Sequence, residues 1–322
     1  MAGDAPPTIA IAGASVVGLM AALELGARGM RPVVVERRPL VQASPAVPAL
    51  AMLAAGESER LEAWCPRHAV ELREGSVDGA AGYVDLDSLW RALVERVQSA
   101  GVEIMWGRRV LGARVAGGEM RAVRTDAGEV AASSLVVAAG AEAVGITPAL
   151  GVQLPVIPEW SAWMRVENVD APSGWQRPDE GDASAHRRVH LACMWSDGRG
   201  AGVAGAYRSF GAVGSRRDAL ARQHLVRSVQ ELAPRATVSG PLAWRLHAHT
   251  SADHLPVVGR TPRADGVVLA LPHGPFGNAR AVEIAIAACD DVVAGRPSEV
   301  HEAWSPQRFP QAASGGRMEA AR

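Results

Sequence analysis

The chain has 322 residues, with 33 basic side chains against 34 acidic ones and a net charge of −1. That balance gives no electrostatic footprint for nucleic acid, and 48% hydrophobic with 21% charged residues excludes a disordered chain. All the basic residues are arginine, so a PLP Schiff base, a P-loop lysine and the Tyr-x-x-x-Lys pair of short-chain dehydrogenases are excluded.

The N-terminal Met1-Ala-Gly-Asp-Ala-Pro-Pro lacks a basic n-region and reads as neither signal peptide nor membrane span, which leads us to expect a cytoplasmic protein. Residues 8–13 form a short apolar run ending in glycine, as a buried parallel strand does. A helix is expected from about Val16 to Arg28, closing at Gly29, and then a strand from Pro32 to Glu36. Residues 39–80, broken by Pro39, Pro45, Pro48 and Pro66, give no architecture. Asp85 or Asp87 caps a helix that ends at Gly101, with Leu89, Trp90, Leu93 and Val97 on one face. Hairpin signals follow at Gly117-Gly118 and at Asp126 to Gly128, then a buried strand at Leu135 to Gly140. From 151 to 250 the pattern changes to alternating strands, polar loops and a helix near Arg216 to Leu232. Beyond Asp253 come a strand (Val267 to Leu271), a glycine turn and an apolar helix (Ala281 to Ala294). The tail, 313–322, is expected to be disordered. Cys65, Cys193 and Cys289 lie far apart with no C-x-x-C, which argues for small core residues over a disulfide framework.

Gly13-Ala-Ser15-Val-Val17-Gly18 stands where a dinucleotide fingerprint belongs, after a strand and opening a helix. The first glycine makes the turn, the middle position approaches the pyrophosphate, and the third lets helix pack on strand. The helix N-terminus offers N–H groups and a positive dipole to phosphates. Ser15 replaces the middle glycine, with a hydroxyl able to contact phosphate itself. Glu36, 23 positions after Gly13, stands where a carboxylate accepts from an adenosine ribose. The alternative is a ligand-free strand–helix turn with Glu36, Arg37 and Arg38 as a solvated charge cluster.

Taken in order, further segments resemble the FAD-dependent D-amino acid oxidase and glycine oxidase superfamily. They are Val33-Val-Val-Glu36-Arg37, Gly82-Tyr-Val-Asp85, Gly107-Arg-Arg-Val110, Val136-Val-Ala-Ala139-Gly140, Asp253-His-Leu-Pro256-Val-Val-Gly259, His273-Gly274-Pro275-Phe276-Gly277 and Gln307-Arg-Phe309. The resemblance implies an α/β chain: a Rossmann-like FAD-binding domain, discontinuous over 1–150 and 251–312, and a mainly antiparallel-sheet substrate domain over 151–250. It implies FAD held by Gly13, Ser15, Val17, Gly18, Glu36, Arg37, Arg38, Val110, Ala139, Gly140, Gly259, Gly274, Pro275, Phe276, Gly277 and Asn278. It also implies oxidation of a C–H next to an amine, in an amine or modified amino acid, giving an imine. Oxygen or another acceptor then takes the electrons, and neither nucleic acid nor membrane is a partner. A class A flavin monooxygenase and a catalytically silent flavoprotein subunit are the rival readings.

Where the family carries a carboxylate-binding arginine, this chain has Ala248, and Pro275 stands where glycine oxidases have another. A bidentate guanidinium is the natural carboxylate clamp. Arg245, with His247 as an amine-tuning base and His273 beside the flavin, completes the catalytic candidates; Arg280 is a second substitute cation. A metal site at His247, His249 and His254 is rejected for want of a third ligand of suitable spacing. Trp160, Trp163 and Trp244 are read as core packing or as walls of a substrate pocket.

Overall fold

Ile9 to Ala12 are buried without exception, which is why this apolar run sits at the centre of a sheet instead of at its edge. The computed structural model describes residues 6–39, 50–52, 56–72, 77–78, 83–117, 119–171, 174–176, 193–210, 213–250, 253–261, 265–274, 277–295 and 302–309. The first strand, β1 (Thr8–Ala12), leads into α1 (Val16–Ala27) and β2 (Arg31–Glu36). Next come β3 (Leu50–Met52), α2 (Glu57–Arg67), β4 (Val77–Asp78) and β5 (Tyr83–Asp85). They are followed by α3 (Leu86–Ser99), β6 (Glu103–Trp106), β7 (Val110–Ala116), β8 (Glu119–Thr125), β9 (Gly128–Ala131) and β10 (Ser134–Val137). After two 3₁₀ turns come β11 (Val156–Glu167), β12 (Gly174–Gln176), β13 (Cys193–Ser196), β14 (Ala201–Ser209), α4 (Ser215–Leu232) and β15 (Thr237–Thr250). The chain returns through β16 (Val257–Arg260), β17 (Val267–Leu271) and α5 (Ala281–Ala294).

The principal sheet runs β16-β17-β10-β1-β2-β6, parallel except for β16 at one edge. Its order reverses beside β1, and in such sheets ligands lie outside the carboxyl ends of the strands at that reversal. The crevice is therefore expected between Gly13 to Ser15, after β1, and Ala138 to Gly140, after β10.

Helix α1 is buried from Val16 to Leu25, apolar on nearly all sides because α3 and α5 pack against it. Its one interior charge, Glu24, is satisfied by the Trp64 indole N–H (2.7 Å), His68 Nε2 (3.0 Å) and Arg28. Trp64 and His68 belong to α2 and the turn after it, a helix with no clear sequence signal because Pro66 interrupts its last turn and Leu61, Trp64 and Cys65 alone form its apolar stripe. Burial pushes the Cys65 thiol up to about 12, so it serves as a core residue. Asp85, not Asp87, caps α3, its carboxylate accepting from the N–H groups of Asp87 and Ser88.

A second, five-stranded antiparallel sheet runs β12-β13-β14-β11-β15. On one face Ala162, Met164, Met194, Ala204 and Trp244 pack against Ala221, Leu225 and Val229 of α4. Two small three-stranded sheets, β3-β5-β4 and β7-β8-β9, complete the described structure. The expected tail at 313–322 lies outside the described residues.

Candidate active site

The turn after β1 is shaped by close packing. Gly13 has φ +107°, and a Cβ there would stand 2.8 Å from the Ala138 carbonyl oxygen. At Gly18 a Cβ would overlap the Gly13 carbonyl, so the first turn of α1 lies directly on the loop. The Ser15 hydroxyl does not point at open space: it donates to Ala138 O (2.8 Å) and accepts from the Gly18 N–H (3.1 Å), capping α1. The N–H groups of Val16 and Val17, in the first turn, have no partner within the helix by geometry. Trp90 of α3 fixes the loop from below, its indole N–H donating to Ala14 O at 2.7 Å.

Glu36 closes β2 and is 3% exposed. Its carboxylate accepts from the N–H groups of Ala14 and Arg38, both at 2.8 Å, and from Arg38 Nε at 2.9 Å. Burial pushes this carboxyl up, but the Arg38 guanidinium and the N–H donors outweigh it and hold it below the usual range. Glu36 is thus a fixed anion paired with the half-exposed Arg38 side chain. Arg37 turns away to pair with Glu142. Opposite Glu36, on β6, Trp106 presents an indole nitrogen that is buried and makes no hydrogen bond among the described residues. Sequence reasoning missed Trp106, because nothing local marks a tryptophan whose importance lies in its cross-strand neighbour.

Of the other expected cofactor residues, Val110 is buried opposite Thr125, and Ala139 and Gly140 (φ +54°) follow β10 at the crevice. Gly274 (φ +62°) is buried, and a Cβ there would meet none of the described residues within 4 Å. A Cβ at Gly259 (φ +126°) would stand 3.0 Å from Asp291 Oδ2 of α5. Pro275 and Phe276 lie outside the described residues, as does the side chain of Asn278, which follows Gly277 in the 3₁₀ turn Gly277–Arg280. A reversal-point crevice, an anchored carboxylate and an orphaned indole N–H fit a dinucleotide such as FAD.

The catalytic candidates come from the face of the antiparallel sheet turned away from α4. Glu159 lies opposite His247, and Ser161 opposite Arg245, so these four share that face with Trp163. Ser161 Oγ lies 2.7 Å from His247 Nε2 and accepts the Trp163 indole N–H at 2.8 Å. Arg245 reaches Asp87 of α3 at 3.3 Å, Trp195 packs edge-on to Tyr83, and the Gly274 N–H donates to Ala248 O at 2.7 Å. These contacts aim the polar face at segment 83–87 and the turn at 273–274. His273 Nε2 sits 3.2 Å from His254 Nδ1 at that turn. Trp244 faces α4 and bonds Asp218, so of the three tryptophans considered Trp163 is the one on the polar face. Ala248 is 2% exposed, with no cation in its place, while Arg280 pairs with Glu57. Among the described residues, no group of three or more His, Cys, Asp or Glu is placed to hold a metal ion. No helix among them is long and apolar enough to cross a membrane.

The family model described as FAD dependent oxidoreductase matches residues 43–288. A D-amino acid dehydrogenase of Rhizobium rhizogenes is 27% identical over 218 residues, 66% of this chain and 49% of the relative. A D-amino-acid oxidase of Bradyrhizobium diazoefficiens is 26% identical over 227 residues, 68% of this chain and 50% of the relative. The chain spans about half the length of the curated relatives it matches. An L-amino acid deaminase of Proteus vulgaris, solved with its specific insertion sequence deleted, superposes with a TM-score of 0.71 at 16% identity. That superposition covers 95% of this chain and 94% of the other, a likeness of fold.

Proposed function

The chain belongs to the FAD dependent oxidoreductase family, and from that premise we propose that it oxidises a C–H bond next to an amine, in an amine or modified amino acid, to the imine. Residues 1–150 and 251–312 would hold the cofactor, and 151–250 would cover the substrate. The observation that carries this reading is the polar face of the antiparallel sheet, which gathers His247, Ser161, Glu159 and Arg245 above the turn at Gly274. Bound FAD supplies a two-electron acceptor for the hydride leaving the substrate carbon, and oxygen or another acceptor later takes those electrons.

The protein's own part is binding and proton handling. Glu36, Ala14 to Val17, Gly140 and Trp106 would hold the nucleotide. Arg245, at the polar face although drawn to Asp87, is the cation for a substrate carboxylate, replacing the arginine that Ala248 lacks. His247 accepts the proton that an ammonium substrate must lose before its lone pair can assist hydride loss. The buried Ala248 favours a second reading, a flavoprotein that binds FAD without turning over amino acids.

The deciding experiment is the visible spectrum of the purified, FAD-loaded protein, taken anaerobically with D-alanine, glycine, L-proline and benzylamine in turn. Bleaching by one of them supports the amine reading, and bleaching by benzylamine alone removes the carboxylate from it. A flavin that stays oxidised with all four favours the silent flavoprotein, and a chain that binds no FAD overturns both. If Arg245 binds a carboxylate, Arg245→Met raises the KM for the amino-acid probe by about 100-fold, in line with about 3 kcal/mol for a charged hydrogen bond.

A further inference from the structure

An ion pair between Arg245 of β15 and Asp87 of α3 joins the polar face of the antiparallel sheet to segment 83–87, with Nη2 3.3 Å from Oδ2. Neither partner is sunk in the core, the two side chains being 23% and 30% exposed. A pair of this kind is weak, because water competes for both charges. Segment 83–87 does not depend on it. Tyr83 packs edge-on against Trp195 at 4.5 Å, and Leu89 and Leu93 of α3 are buried. Asp85 caps the helix, accepting from the N–H groups of Asp87 and Ser88 and from the Ser88 hydroxyl. Asp87 can therefore release Arg245 while α3 stays where it is.

Asp87 also stands in the first turn of α3, where the positive end of the helix dipole stabilises an anion. Its charge is thus favoured whether or not Arg245 lies beside it. We infer that Asp87 is an exchangeable counter-ion that sets the specificity of the site: it occupies Arg245 when no substrate carboxylate is present, and yields the guanidinium to one that arrives. The exchange trades one carboxylate for another on the same cation, so Arg245 is not left uncompensated at any stage. An amine that carries no carboxylate leaves the pair intact. The balance between amino acids and plain amines then lies with Asp87 as much as with Arg245. This deepens the amine-oxidation reading and rests on it for the identity of the substrate.

The pair differs from the arginine–carboxylate contact in the nucleotide site. There Glu36 is 3% exposed and also accepts from the N–H groups of Ala14 and Arg38, so its place is fixed by the fold. Asp87 holds Arg245 from a neighbouring element at a part-exposed surface, where another anion can replace it. The position suits such a replacement. Arg245 and His247 are alternate residues of β15 and share the face that carries Ser161. Alternate residues of a strand stand about 7 Å apart, and the carboxylate and amine of an α-amino acid fit within that span.

The test needs no turnover: the Kd of propionate, which is alanine without its amine, measured on the FAD-loaded full chain by saturation transfer to the propionate methyl signal in NMR. Asp87→Asn should tighten propionate about five-fold, the size expected when a part-exposed ion pair no longer competes. Propionamide, the neutral isostere, should show no such gain. Arg245→Met should abolish propionate binding with Asp87 present or replaced; if that variant folds poorly, Arg245→Gln serves in its place. Propionate bound by the Asp87→Asn, Arg245→Met double variant overturns the inference, since the aspartate would then be repelling anions without serving Arg245. Equal binding by the parent and Asp87→Asn overturns it too, as does binding by neither. If propionate behaves as expected while no amine bleaches the flavin, the amine reading fails and the exchange at Arg245 stands.

Discussion

The glycine turn between β1 and α1 and the polar face of the antiparallel sheet are both candidate binding surfaces, yet they are built on opposite plans. In the turn nearly every polar atom is consumed by the protein: Ser15 by Ala138 and Gly18, Ala14 by Trp90 and Glu36, Glu36 by Arg38. Gly13 to Gly18 are neighbours in sequence, although their partners Glu36, Trp90 and Ala138 are not. On the sheet face, residues distant in sequence meet across the paired strands β11 and β15, and their side chains touch there. A site made by local packing is legible as a motif and resists change, because a substitution there breaks the fold before it touches a ligand. A site made across strands has no motif, and its residues can be exchanged without unfolding the sheet.

The sharpest test of that contrast is Gly18→Ala. With no room for a Cβ between α1 and the loop, we expect a loss on the order of 3 kcal/mol, read as a lower urea midpoint or as insoluble protein, whether or not FAD is present. Gly205→Ala, which displaces Trp163 from beneath, should cost about 2 kcal/mol in urea while leaving FAD affinity unchanged. Weakened FAD binding in that variant would mean the two regions are not independent.

Ser15 offers a finer measurement. As a helix cap it should lose about 1 kcal/mol on Ser15→Ala and only a few tenths on Ser15→Gly. An equal fall in FAD affinity for both variants, with stability little changed, would return the hydroxyl to the phosphates.

The smallest effect concerns pH. The Glu36 carboxyl is held below its usual range in the folded protein, so it contributes stability that is present above about pH 4.3 and lost as pH falls through the folded value. Arg38→Met removes the guanidinium and leaves the burial. Urea midpoints measured between about pH 5 and 3 should therefore fall less steeply in that variant than in the parent. An identical slope would show that the backbone donors from Ala14 and Arg38 suffice.

Much of the architecture was legible in the residues. The limits of α1, β17 and α5 follow from apolar runs bounded by Ser15, Gly29 and Gly295, where burial and turn chemistry act within a few residues. Helix α2 was not legible, since its reason to exist is Trp64 bonding a buried Glu24 forty residues away in the chain. Gly259 carried a motif signal, but its need for glycine comes from Asp291 of α5.

By itself the sequence determined the strand–turn–helix opening, the carboxylate that follows it and the family to which the order of segments points, because each is written in residues that touch their own neighbours. The tertiary structure alone decided that Ser15 caps a helix, that Arg38 shields Glu36 and Arg37 does not, and that Trp163 and Ser161 stand behind His247. Those relations depend on which strand lies beside which and on the face each side chain takes. A one-residue change of register between β11 and β15 would turn the polar set to the other side, and nothing local in the sequence records it.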